Sequence, residues 1–228
     1  MKTRKIKTAA PARKRIFILD DHPMTRRGLA QLIQSDPNLT VCGEAENAPQ
    51  ALAALKPPLP DLVLSDITLP GKSGLEFIKD IKAQHPKVAV LVMSMHDENA
   101  YAERVLRVGG DGYIMKSEGG DEVIGAIWQV LQGQTYVSKN MSALLASQFA
   151  GRRSQSGEMQ TSLLTDREFE VYQLLGQGLS TRAIGEHLHI SPKTVETHRM
   201  NIKEKFKLKT GPELIKHAVR WAAANQLI

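Results

Sequence analysis

The chain is poor in cysteine: Cys42 is the only one among 228 residues. An intrachain disulfide framework and a cysteine-rich zinc site are therefore excluded, and a reducing cytosol is the compartment that fits. Long apolar runs are also missing. None approaches the ~20 residues that a membrane-spanning helix needs, which argues against an integral membrane protein. The N-terminus is basic, but Thr8-Ala9-Ala10-Pro11-Ala12 is no apolar signal core, so a secretory leader is not expected. Aromatic residues make up only 5%, against 42% hydrophobic and 24% charged, which is globular composition. Since domains usually run ~100–200 residues, the length fits one large domain or two small ones.

The net charge of +6 conceals a division. Residues 1–15 carry seven basic residues and no acid, and read as a solvated tail. Residues 16–137 hold ten basic against sixteen acidic residues, whereas 162–228 hold ten against seven. An acidic body followed by a basic module implies two domains with different partners.

The first half alternates short apolar runs with amphipathic stretches. Strands are expected at Ile16–Asp20, Leu39–Ala45, Asp61–Asp66, Val88–Met93 and Gly112–Met115, with helices near 24–34, 48–55, 74–84, 98–108 and 120–132. Five βα repeats predict a doubly wound, five-stranded parallel sheet covered on both faces. Runs such as Leu62-Val63-Leu64 lack polar alternation, as strands buried on both sides should. Cys42 falls in the second strand and reads as a small core residue. Residues 137–161 read as a linker, with a short helix near 140–149 and the polar run Gly151–Gly157. Beyond it, Thr165-Asp166-Arg167-Glu168 and Thr210-Gly211-Pro212-Glu213 have capping-box form. Ser180 and Ser191-Pro192 start two further helices, giving a compact all-α module of four helices.

The strand ends carry the chemistry. Ligands of a doubly wound sheet bind beyond the carboxyl ends of its strands. The first strand ends Leu19-Asp20-Asp21 and the third Leu64-Ser65-Asp66, so three carboxylates converge on one crevice. Any one of them alone reads as a cap or surface residue. Together they repel unless a cation is shared, and an all-oxygen set favours Mg²⁺. Ser94 ends the fourth strand and Lys116 follows the fifth; an ammonium beside carboxylates suits a site that neutralises a phosphoryl group.

This pattern resembles the receiver domain of two-component response regulators, which has a flavodoxin-like fold. The resemblance spans Ile16 to about Tyr136 and rests on Asp20-Asp21, the run Asp61 to Gly71 around Asp66, Ser94, and Tyr113-Ile114-Met115-Lys116. It implies that Asp66 accepts a phosphoryl group from a sensor histidine kinase as an aspartyl phosphate. It further implies Mg²⁺ held by Asp20, Asp21, Asp66 and the Thr68 carbonyl, Lys116 on the phosphoryl oxygens, and Ser94 and Tyr113 as the residues that rearrange. Ser117 stands where many receivers have proline, which bears on the local backbone and not on the chemistry. His22 precedes Pro23 at a helix start and reads as a pocket-edge residue, not a phosphodonor.

Residues 180–199 have helix-turn-helix spacing, with Ala183, Ile184, Leu188, Ile190 and Val195 as packing positions. On a helical wheel Val195, Ile202 and Phe206 share one face, while Lys193, Thr197, Met200 and Glu204 lie opposite. A positive, polar face after such a turn suits the DNA major groove. The stretch from Leu164 to Ile228 resembles the LuxR/NarL-type DNA-binding domain, through Leu164-Thr165-x-Arg167-Glu168, Gly178-Leu179-Ser180, Ile190 to Arg199, and Leu227-Ile228. The resemblance places Lys193, Glu196, Thr197 and Met200 at bases and Thr194, His198, Arg199 and Lys203 at phosphates. The wheel sets Arg199 nearer the core edge.

The reading is a DNA-binding transcription regulator of the NarL/FixJ family, cytoplasmic and not associated with membrane, with residues 16–136 as receiver and 162–228 as DNA-binding domain. It hydrolyses its own aspartyl phosphate slowly and is not a turnover enzyme. Phosphorylation is expected to release the DNA-binding domain from a docked state that occludes the helix beginning at Pro192, and to allow a homodimer on two half-sites. Two rivals are a Mg²⁺-dependent aspartyl phosphatase, which would want an Asp-x-Asp pair that Asp20-Asp21 does not provide, and an anti-regulator that binds only proteins.

Overall fold

The computed structural model describes residues 13–95, 98–149, 161 and 163–224. Residues 1–12, the run Gly151–Gly157 and Leu227-Ile228 lie outside them. Five strands, β1 (Lys14–Leu19), β2 (Leu39–Ala45), β3 (Leu62–Ser65), β4 (Ala89–Ser94) and β5 (Gly112–Met115), form a parallel sheet in the order β2-β1-β3-β4-β5. Between them run α1 (Pro23–Ser35), α2 (Ala48–Ala54), α3 (Gly74–Gln84) and α4 (Glu98–Arg107), with α5 (Gly120–Leu131) after β5.

Alternate side chains of each strand serve opposite faces. Ile16, Ile18, Leu62, Leu64, Leu91, Met93 and Ile114 pack with Leu29 and Ile33 of α1 and Val123 and Ile127 of α5. Phe17, Leu19, Val63, Val90, Val92 and Tyr113 pack with α2, α3 and α4. Both faces are therefore apolar, which is why these strands lack alternation. One boundary differs from expectation: β1 starts at Lys14, inside the segment read as tail. Asp61 draws it in, accepting from Lys14 Nζ at 2.9 Å and from the Arg15 amide at 2.8 Å. Cys42 is half-buried against the core, and burial raises its thiol pKa.

After α5, α6 (Lys139–Phe149) packs on α4 through buried Met141. Then come α7 (Asp166–Gly176), α8 (Thr181–His187), α9 (Pro192–Phe206) and α10 (Gly211–Ala224). Thr165 and Glu168 form the expected capping box, and Ser180 and Ser191 cap α8 and α9. At α10, Thr210 Oγ1 accepts from the Glu213 amide, but the Glu213 carboxylate takes the Lys209 amide instead of that of Thr210. α7 and α10 approach closely at Gly176, where an added Cβ would lie 2.7 Å from the Ala218 carbonyl oxygen.

The C-terminal helical domain is docked on the sheet domain. Phe169 of α7 meets the Tyr101 ring of α4 edge-on at 5.3 Å between centroids, and the Arg104 guanidinium lies 3.9 Å from the centre of the Phe169 ring. Arg104 also donates to the carbonyls of Thr161 and Leu164 and lies 3.6 Å from Asp166. Lys79 of α3 pairs with Asp166 at 2.7 Å. All of α7 except Arg167 is buried.

Candidate phosphoryl-acceptor site and nucleic-acid interface

Adjacent parallel strands bring Asp20, Asp21 and Asp66 to one crevice: the Asp66 amide donates to the Leu19 carbonyl at 2.7 Å, next to the end of β1. Asp66 and Asp20 are nearly inaccessible. Lys116, reaching back from the end of β5, bridges them with Nζ 2.5 Å from Asp66 Oδ2 and 2.7 Å from Asp20 Oδ2. Its backbone is set by the bond from its amide to the Ser94 carbonyl at 2.7 Å, so the ends of β4 and β5 locate the ammonium. The remaining Asp66 oxygen accepts from the Thr68 amide at 3.2 Å.

Burial pushes the Asp66 carboxyl pKa up, against the pull of Lys116. For Lys116, desolvation opposes the ammonium, but Asp66 and Asp20 outweigh it and raise its pKa. The site is thus short of positive charge. Asp21 Oδ1 is buried and makes no hydrogen bond among the described residues, with His22 Nδ1 2.8 Å away. Ligand atoms of Asp20, Asp21, His22 and Asp66 all lie within 4.8 Å of one another, a set able to hold a metal ion. Ser94 and Tyr113 are both fully buried, Tyr113 in the same core cluster as Tyr101.

The loop beyond Asp66 is tightly built. Gly74 opens α3 against it: an added Cβ would lie 2.6 Å from Ile67 Cα and 2.7 Å from the Asp66 carbonyl oxygen. Gly74→Ala is therefore expected to displace the acceptor loop and destabilise the receiver by about 1–3 kcal/mol, the usual cost of overpacking. Thermal denaturation checks it; an unchanged midpoint would contradict the close contact.

In the second domain, Ile184, Leu188, Val195 and Ile202 are buried and Ala183 and Ile190 half-buried. Lys193, Thr194, Glu196, Thr197 and Met200 stand exposed on the outer face of α9. Lys203 is half-buried beside them. Arg199 turns toward α8, pairing with Glu196 at 2.8 Å and donating to Thr181, as its place on the wheel suggested. His198 differs. It lines the cleft between the domains with Glu76, Lys79 and Arg104, its Nδ1 buried and without a hydrogen bond among the described residues.

Docking consequently does not occlude the helix at Pro192. It covers α7 and part of His198, because the aromatic and acidic side chains of α7 find their partners on α3 and α4. Arg104, Phe169 and His189 had no signal in the sequence. His189 lies in the turn before α9 with φ 54°, its Nε2 3.8 Å from Asp21 Oδ2.

Residues 16–127 match the family described as response regulator receiver domain, and residues 162–218 match bacterial regulatory proteins of the luxR family. The chain is 32% identical over 219 residues to the transcriptional regulatory protein DegU of Brevibacillus brevis, covering 90% of this chain and 92% of that one. The chain belongs to the LuxR-family response regulators. This response regulator is also 31% identical over 210 residues to the oxygen regulatory protein NreC of Staphylococcus carnosus, covering 90% and 97% of the two chains. Among solved structures, a LuxR-family response regulator of Aurantimonas sp. SI85-9A1 aligns with TM-score 0.57 at 32% identity, over 61% of this chain and 99% of that one. RcsB of Salmonella enterica serovar Typhimurium, bound to promoter rprA with phosphomimetic BeF3-, aligns with TM-score 0.61 over 91% and 98%. At 24% identity it speaks for the fold alone. Like its relatives, the response regulator joins a receiver to a DNA-binding domain and acts in transcription. Among the described residues no helix is long and apolar enough to cross a membrane.

Proposed function

We propose that a histidine kinase phosphorylates Asp66 and that the aspartyl phosphate controls promoter binding. The observation that carries this reading is the Lys116 bridge to Asp66 and Asp20 beside the orphaned Asp21 oxygen. An Asp66 carboxylate oxygen forms a bond to phosphorus as the bond to the donor breaks, and the donor leaves with its electron pair. Lys116 then holds the phosphoryl oxygens where it now holds Asp66. Asp20, Asp21, Asp66 and the Thr68 carbonyl offer the hard oxygen donors that suit Mg²⁺, which when bound offsets charge on the phosphoryl group. Ser94, at the end of β4, and Tyr113, within β5, are the residues that rearrange. Hydrolysis of the acyl phosphate is slow, so the chain is no turnover enzyme.

The regulator acts in the cytoplasm. Phosphorylation frees α7 from α3 and α4, and two copies pair on DNA half-sites, since one helix-turn-helix reads only one. Lys193, Glu196, Thr197 and Met200 serve bases, and Thr194, His198, Arg199 and Lys203 serve phosphates; His198 reaches DNA only after the cleft opens.

With Mg²⁺ and acetyl phosphate the protein is expected to gain one acid-stable, base-labile phosphoryl group, and Asp66→Asn to gain none. Equal labelling of the variant would remove Asp66 from its role.

A further inference from the structure

The helix-turn-helix domain touches the receiver at a second place, beyond the Arg104–Phe169 contact. His189 sits between α8 and α9 in the left-handed region, at φ 54°. Few non-glycine residues adopt that conformation, although histidine is enriched among those that do. Its backbone is set within its own domain, where the Ile190 amide closes α8 onto the Gly185 carbonyl at 2.9 Å, and the half-exposed imidazole projects beyond that turn. What it meets is Asp21, at 3.8 Å from Oδ2, with His22 on the other oxygen at 2.8 Å. Nearby, Arg167 Nη2 donates to the Gly71 carbonyl at 3.0 Å, on the loop beyond Asp66. One domain thus rests on both loops that border the acidic crevice.

We propose that the receiver's cation site is a two-domain site, in which His189 and a divalent cation compete for the Asp21 carboxylate. Loading the cation and docking the DNA-binding domain therefore oppose each other. This rests on the reading of Asp20, Asp21 and Asp66 as the cation ligands. A hard cation of the Mg²⁺ type takes oxygen at about 2.1 Å in near-octahedral geometry and does not favour imidazole. Drawing Asp21 inward toward Asp20 and Asp66 pulls it from His189, and a dication there repels any positive charge on the ring. Linkage makes the effect reciprocal: the factor by which docking weakens cation binding is the factor by which the cation weakens docking. The contact is half exposed and screened, so the factor is about two- to five-fold.

The test is a Mg²⁺ titration of the intact chain, followed by calorimetry at fixed ionic strength. His189→Gly removes the imidazole and tolerates the positive φ, and is expected to tighten Mg²⁺ binding about two- to five-fold. Asp21→Asn, the control for the site itself, is expected to lose most of the affinity. Hydrogen exchange along α7 supplies the reciprocal measurement: Mg²⁺ should speed it about two- to five-fold in wild type and less in His189→Gly. If Asp21→Asn weakens binding while His189→Gly matches wild type, the two-domain site is wrong and the ligand assignment stands. If Asp21→Asn binds Mg²⁺ as wild type does, the ligand assignment fails and takes the inference with it.

Discussion

Arg104→Glu is expected to separate the two domains without phosphorylation. Arg104 is 9% exposed and holds the Thr161 and Leu164 carbonyls, Asp166 and the Phe169 ring at once. Burial lowers its pKa, yet Asp166 beside it supports the cation. A glutamate there would replace the cation now 3.6 Å from Asp166 with a second acid and leave both carbonyls without their donor. Removing one partner of a buried pair typically costs about 3–5 kcal/mol, equivalent to a factor of at least ~100 in a docking constant. The Lys79–Asp166 pair cannot make good that loss, since Lys79 is half exposed and such contacts contribute about 0–1 kcal/mol. Small-angle scattering should record a larger radius of gyration, and calorimetry should resolve two unfolding transitions in the variant against one expected for the docked wild type. A compact variant with a single transition would mean that docking does not depend on Arg104.

Glu170→Gln is expected to remove a loss of stability that wild type suffers on going from mildly acidic to neutral pH. Glu170 is 4% exposed, and burial raises its pKa from 4.5 to about 7 despite the Arg167 guanidinium 2.6 Å away. Asp166 on the same helix, Glu76 of α3 and Tyr101 of α4 are the other titratable groups it faces, and both acids push it further up. A raised native pKa means that the folded chain holds the proton more tightly than the unfolded one. This contribution is complete below pH 4.5 and is lost as pH rises through about 7, amounting to about 3 kcal/mol. Glutamine mimics the protonated acid at every pH. The variant should match wild type near pH 4.5 and exceed it above pH 7, as read from thermal midpoints across that range. Parallel profiles would show that Glu170 is not the titrating group.

The sheet was legible because its order is imposed by local pattern. β2 and β5 lie where their apolar runs begin and end, and the strand-end acids follow from the parallel topology. The start of β1 was not, since Asp61 lies 46 residues from Arg15 and no window of periodicity spans that gap. The docking surface escaped for the same reason. Asp166 and Glu168 read only as part of a capping box and Glu170 gave no signal, yet all three are buried. Asp166 is matched by Lys79, 87 positions away, and Glu168 by Lys205, 37 positions away. Charge buried by remote partners is indistinguishable, in sequence, from charge in water. The acidic crevice was legible as a set of carboxylates, while its neighbour His189 depends on how two domains meet.

A helix gripped from two sides also keeps time for the molecule. α7 contributes Phe169 to the receiver contact and also to its own domain, where the same ring meets Trp221 edge-on at 5.5 Å. Its amides therefore have no solvent-facing side from which to fray, and exchange hydrogen with water through rarer openings than those of α8. When the domain departs, one wall of that clasp is gone and the other remains. The rate of exchange along Asp166–Gly176 is thus a clock for departure that runs independently of any DNA, and it should quicken when the domain leaves.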